Sequence, residues 1–210
     1  MPAKDTGITR QPEDKGITVS QSGITIPAGD IPINIQIEAT AFAYLVLDCS
    51  GSMMGDKINQ AIQRSLDFAR QARADGYLVG IIQFASEAIH VCEPQRELSL
   101  IEQQVSNITA GGTTNMAAAI RMAKQNLKNR KGRRAMVIVT DGMPDSETDA
   151  LQAATEAKNQ GIDIIAIGTD DADQWFLQRI ASRPELAKKV TREQLGQAIV
   201  DAAKMLPPAR

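Results

Sequence analysis

The run Ala41-Phe-Ala-Tyr-Leu-Val-Leu-Asp48-Cys-Ser-Gly-Ser-Met-Met-Gly55 decides the fold. Seven apolar residues precede Asp48, with no polar alternation among them. A strand with only one buried face alternates, whereas a strand covered on both faces does not, so this run reads as a central parallel strand. It stops at Asp48-Cys49-Ser50-Gly51-Ser52, an Asp-x-Ser-x-Ser sequence of small polar residues. In open α/β sheets ligands bind at the carboxyl ends of strands. One carboxylate and two hydroxyls therefore stand at the usual ligand position. All are hard oxygen donors, the kind that suits Mg²⁺ or Mn²⁺.

Downstream, Asp56 to Ala74 places Ile58, Ala61, Ile62, Ser65, Leu66 and Ala69 at helical spacing, with Asp56 expected to cap the start. Tyr77 to Phe84 reads as a second strand and Ala88 to Cys92 as a third, ended by Pro94. The short Ser86-Glu87 link predicts an antiparallel hairpin at one sheet edge. Leu98 to Ile108 reads as a short helix. Ala110-Gly-Gly-Thr113-Thr114-Asn115 then leads into a helix from Met116 to about Lys128. A threonine at a helix start is ordinarily a cap.

Ala135-Met-Val-Ile-Val-Thr-Asp141-Gly142 is a second buried strand that ends in an aspartate. Asp145 to Gln160 follows as a helix, with Gly161 at its end. Ile162 to Gly168 is the next strand. A short helix after Asp170-Asp171-Ala172-Asp173, a strand near Lys188 to Val190, and a helix from Glu193 to Leu206 complete the order. Strand–helix units with one hairpin predict an α/β fold: a three-layer, doubly wound, mostly parallel sheet with one antiparallel edge strand and helices on both faces.

These segments resemble the von Willebrand factor type A (VWA) family. Asp48-x-Ser50-x-Ser52 followed by Met53, Gly55 and Lys57 is similar to its metal-ion-dependent adhesion site (MIDAS), in the form found in compact bacterial and intracellular members. Gly112-Thr113-Thr114 and Ile138-Val-Thr-Asp141-Gly142 follow in the family's order, and the resemblance covers roughly residues 40 to 205. It implies that Ser50 and Ser52 coordinate Mg²⁺ directly. Asp48 would act directly or through water and orient the loop. Thr114 would coordinate in the ligand-engaged state, and Asp141 mostly through water. The spacing to Ile120 fits Thr114, with Thr113 as the second choice.

Three hydroxyls and only two carboxylates leave such an ion under-neutralised. It can then accept an Asp or Glu from a partner protein. The first expectation is therefore a non-enzymatic, metal-bridged protein-recognition module. Rivals are a Mg²⁺-dependent hydrolase or phosphatase using Asp48 or Ser50, and a structural domain with an unused site. By analogy alone, domains of this kind resemble ones acting in multi-protein assemblies, including tellurite and stress-response systems. A metal at Asp141, Asp145, Glu147 and Asp149 is a further alternative. Without EF-hand spacing, caps and helix-dipole partners are the preferred reading there. Asp170, Asp171 and Asp173, also at a strand end, either cap the short helix or rim the site, with capping ranked first.

The 210 residues suit one domain, expected over 39–206, with an N-terminal extension over 1–38 that is extended or partly disordered. That extension carries four prolines and three Gly-Ile-Thr triplets, at Gly7, Gly16 and Gly23. A hairpin pairing with a sheet edge or another chain is the alternative. The net charge of −2 argues against general affinity for nucleic acid or anionic membranes. The basic run from Lys128 to Arg134 reads as a solvated helix end. Cys49 and Cys92 imply no disulfide framework, and His90, the chain's one histidine, reads as a strand residue facing water or a polar neighbour. With no signal-like start and no membrane-length apolar run, the expectation is a cytoplasmic monomer.

Overall fold

The computed structural model describes residues 19–20, 23–24 and 41–209. Val19 and Ser20 pair antiparallel with Ile24 and Gly23, within a unit separate from residues 38–210. Otherwise the expected 1–38 extension lies outside the described residues.

Six strands form one sheet: β1 (Ala41–Asp48), β2 (Tyr77–Phe84), β3 (Ala88–Gln95), β4 (Arg133–Thr140), β5 (Asp163–Gly168) and β6 (Ala187–Lys189), in the order β3-β2-β1-β4-β5-β6. All neighbours are parallel except β2 and β3. The helices are α1 (Asp56–Ala74), α2 (Leu98–Val105), α3 (Met116–Leu127), α4 (Glu147–Asn159), α5 (Gln174–Ile180) and α6 (Leu195–Ala202). Helix α1 packs with α2 and α6, and α4 packs with α3 and α5. This is the doubly wound α/β sheet expected from the order of apolar runs.

The unbroken apolar runs take the middle because only there are both faces covered. Every residue of β1 is buried, as are the last six of β4. The helices meet the sheet through regularly spaced faces. Ile58, Ala61, Ser65, Phe68, Ala69 and Ala72 are buried on α1. Ser65, the polar member, gives its hydroxyl hydrogen to the Ala61 carbonyl at 2.7 Å, so its burial leaves no donor unmet. Helix α4 buries Ala150, Ala153, Ala154 and Ala157, a face of small side chains, and packs with α3, α5 and strand β5.

Several boundaries differ from the sequence reading. Strand β3 does not end before Pro94 but runs to Gln95, with its register broken between Val79 and Ile82 of its partner. Proline is tolerated there because an edge strand has one unpaired side. Helix α2 stops at Val105, because Ser106 Oγ and Asn107 Nδ2 both donate to the Gln103 carbonyl and compete with the next turn. Asp56 is not the cap of α1. Gly55 holds that position at φ 86°, a left-handed conformation that favours glycine, and Asp56 is the first helical residue. Helix α4 starts at Glu147 under a Ser146 cap, and the expected last helix divides into α6 between short 3₁₀ turns. Among the described residues no helix is long and apolar enough to cross a membrane.

Candidate metal centre at the sheet's switch point

The chain leaves β1 toward β2 on one side and later returns to β4 on the other. Strands β1 and β4 are adjacent and parallel, so their carboxyl ends form the point where strand order reverses. Crevices for ligands open at such points. Asp48 ends β1 and Asp141 directly follows β4.

A chain of hydrogen bonds joins these residues. Asp48 is fully buried, and both of its oxygens have donors. The Ser50 N–H reaches Oδ1 at 2.8 Å and the Thr140 hydroxyl reaches Oδ2 at 2.6 Å. Burial pushes the Asp48 carboxyl above its ordinary range, while the Thr140 and Ser50 donors pull it back. Its geometric role is to lock the loop to β4. Ser50 Oγ lies 3.0 Å from Ser52 Oγ, and Ser52 Oγ donates to Asp141 Oδ1 at 2.7 Å. Asp48, Ser50, Ser52 and Asp141 thus lie together.

The fifth residue, Thr114, arrives on the loop before α3. That loop is tied to the first by two backbone bonds, Gly51 N–H to the Gly112 carbonyl at 3.0 Å and Gly111 N–H to the Cys49 carbonyl at 2.8 Å. Neither threonine caps α3. Asn115 does, accepting from the Ala118 N–H. Thr113 spends its hydroxyl on Asp145 Oδ2 at 2.7 Å. Asp145 Oδ1 takes the Thr114 N–H at 2.9 Å. Among the described residues no hydrogen bond takes up the Thr114 hydroxyl, which distinguishes it from Thr113.

The acidic alternative downstream does not form a cage. Asp145 is occupied by the threonine loop, Ser146 caps α4 through the Asp149 N–H, and Asp149 lies 3.6 Å from Arg121. Among the described residues no three His, Cys, Asp or Glu side chains converge as metal ligands. Asp173 caps α5 as expected, through the Phe176 N–H at 2.7 Å. Asp170 departs from the capping expectation. It sits at φ 48° and pairs with Lys57 and Arg192 at 2.8 Å each.

Lys57 is the residue whose role the sequence did not disclose. It is the second residue of α1, only 7% exposed, and its ammonium pairs with both Asp141 Oδ2 and Asp170 Oδ2. Burial opposes its charge, but the two carboxylates outweigh burial and hold its pKa above the ordinary value. The resemblance includes Lys57 without giving it a role. Its burial follows from partners 84 and 113 residues away.

The donor set fits a hard divalent cation. It consists only of hydroxyl and carboxylate oxygens. The 3.0 Å between Ser50 Oγ and Ser52 Oγ matches neighbouring corners of an octahedron, about 2.9 Å apart when metal–oxygen bonds are about 2.05 Å. The sequence also matches the von Willebrand factor type A domain over residues 44–202, three-quarters of its length. The chain belongs to that family.

Among its relatives, the thrombospondin-related anonymous protein of Plasmodium falciparum is 25% identical over 140 residues, which covers 60% of this chain and 25% of that protein. This VWA chain thus spans about a quarter of the length of the curated relatives it matches. The pilus adhesin SpaC from Lactobacillus rhamnosus GG superposes with a TM-score of 0.71 at 18% identity, over 81% of this chain and 31% of that one. The manganese-loaded TRAP protein of Plasmodium vivax superposes with a TM-score of 0.65 at 21% identity, over 79% and 73%. These likenesses bear on the fold.

Proposed function

We propose that this VWA domain is a protein-recognition module that holds Mg²⁺ or Mn²⁺ at its switch point and uses the ion to bind an Asp or Glu of a partner protein. The observation that carries the reading is the hydrogen-bonded run of hard oxygens through Asp48, Ser50, Ser52 and Asp141, with the Thr114 loop bonded against it. Ser50, Ser52 and Thr114 would hold the ion directly. Asp141 would act mostly through water, and Asp48 would orient the loop. The ion, when bound, supplies an open coordination position with residual positive charge, because its nearest protein ligands are neutral hydroxyls. A carboxylate is the natural occupant, as the charge-assisted contact is strong and directional. The manganese-loaded state of a structurally similar protein is in keeping with this reading.

A hydrolase finds little support at the site. His90 lies on β3, bonded at 2.9 Å to Tyr44, which is four residues before Asp48 on β1. Four residues of strand span about 13 Å, too far for a general base. Cys49 is buried, and burial followed by the neighbouring Asp48 charge pushes its thiol up to about 12, so it is protonated at neutral pH and a poor nucleophile. We read the domain as non-enzymatic on these grounds.

The test is a capture experiment from a lysate of the source cells, with the wild-type chain in Mg²⁺, the same chain in EDTA, and Ser52→Ala in Mg²⁺. The expected result is a protein retained only in the first case and released by EDTA. Identical captures in all three would reject metal-bridged recognition.

A further inference from the structure

Within the proposed metal site, both oxygens of Asp141 already have donors. Oδ1 accepts from Ser52 and Oδ2 from the buried ammonium of Lys57. Ser52 is also a metal-ligand candidate, so the side of Asp141 nearest it is the side from which an ion would be approached. The other side is held by a fixed positive charge. Lys57 has little freedom to leave. Its side chain is 8% exposed, α1 fixes its backbone, and Asp170 holds the same ammonium at 2.8 Å. Asp170 is in turn shared with Arg192, which opens the turn leading into α6.

We propose that Lys57 is an internal counter-cation of the site, which restrains divalent-ion affinity and so makes the partner's carboxylate part of what retains the metal. The proposal rests on the functional reading above and adds the residue that tunes it. Two positive charges near one carboxylate repel, and in a buried setting that repulsion is poorly screened. An ion entering beside Ser52 must share Asp141 with Lys57. It is held more weakly than two carboxylates alone would hold it. When an anionic side chain arrives on the ion, it supplies the charge that Lys57 has neutralised. Asp170 is the second anchor that holds the Lys57 ammonium in place when the ion draws Asp141 toward itself.

A simple tether predicts the opposite effect. If Lys57 only positions Asp141, its removal should disorder the carboxylate and weaken the ion. If Lys57 is a competing charge, removal should tighten it. Lys57→Met keeps the length of the stem and removes the charge. Lys57→Arg keeps the charge. Lys57→Gln is the second neutral variant, should the thioether not be accommodated.

The experiment is a calorimetric titration of Mn²⁺ alone, without partner, into the wild-type chain and these variants, with Ser52→Ala as the control for the site. The expected result is a dissociation constant at least about tenfold lower in the neutral variants than in wild type, little change in Lys57→Arg, and loss of binding on adding Ser52→Ala. Binding by a neutral variant where wild type shows none would support the proposal equally. Equal affinities, or weaker binding in Lys57→Met and Lys57→Gln, would overturn it and leave the metal-bridged reading standing. No Mn²⁺ binding by wild type or any variant would overturn both.

Discussion

Gly80→Ala is expected to destabilise the domain by about 3 kcal/mol, the upper end of the usual overpacking cost. A methyl group there would lie 2.5 Å from Tyr44 Cε1, 2.8 Å from the Cys92 carbonyl oxygen and 2.9 Å from Pro94 N. Two of those atoms are backbone and the third belongs to a fully buried ring. None is the far end of a flexible side chain, so the strands themselves must move apart. Gly80 lies where β2 and β3 lose register, between Val79 and Ile81. The missing side chain is what lets Pro94 and the β3 backbone approach. At about 2–4 °C per kcal/mol for a domain of this size, the melting temperature should fall by about 10 °C. Thermal denaturation followed by circular dichroism checks this. An unchanged melting temperature would mean that β3 does not lie against Gly80 as described.

Asp48→Ala is expected to lower Mg²⁺ or Mn²⁺ affinity by about 100-fold, the upper end for a residue that orients metal ligands. Asp48 holds the Ser50 N–H and the Thr140 hydroxyl at 2.8 and 2.6 Å. Without it the Asp48–Ser52 loop loses its tie to β4, and the two serine hydroxyls lose their shared direction. The same substitution leaves the buried Ser50 N–H unmet, which costs about 1–3 kcal/mol, while the Thr140 hydroxyl can turn to the Gly142 carbonyl at 3.3 Å. Part of that is offset because a desolvated carboxylate is no longer buried. The metal effect should therefore exceed the stability effect. Ion titration and denaturant unfolding of the same sample separate them. A stable Asp48→Ala chain with wild-type affinity would show that Asp48 does not organise the site.

The features most legible in the sequence were those that follow from burial. The runs 41–47 and 135–140 lack alternation because β1 and β4 are covered on both faces. Their terminal aspartates could be placed at one end of the sheet because parallel strands share direction. The hydroxyl-rich loop was legible for the same reason.

Features that depend on distant partners were less legible. Pro94 reads locally as a strand breaker, and only its edge position beside Gly80 makes it acceptable. The choice between Thr113 and Thr114 depends on Asp145, which claims the Thr113 hydroxyl from 32 residues away, and on Asn115 taking the cap. Lys57 enters the sequence reading only as one of the residues that carry the family resemblance, and nothing local reveals that Asp141 and Asp170 close over it. Asp170 reads as one more helix-start acid until its positive φ turns it toward Lys57. Periodicity reports which face is inward. It carries no record of which charge meets which.

The most direct measurement of the central claim is an anomalous-difference map from crystals of the chain grown with Mn²⁺. The account predicts one strong peak within about 2.2 Å of Ser50 Oγ and Ser52 Oγ, with the Thr114 hydroxyl facing it and the Thr113 hydroxyl still on Asp145. A map with no peak at the ends of β1 and β4, or with its peak among Asp145, Glu147 and Asp149, would contradict it.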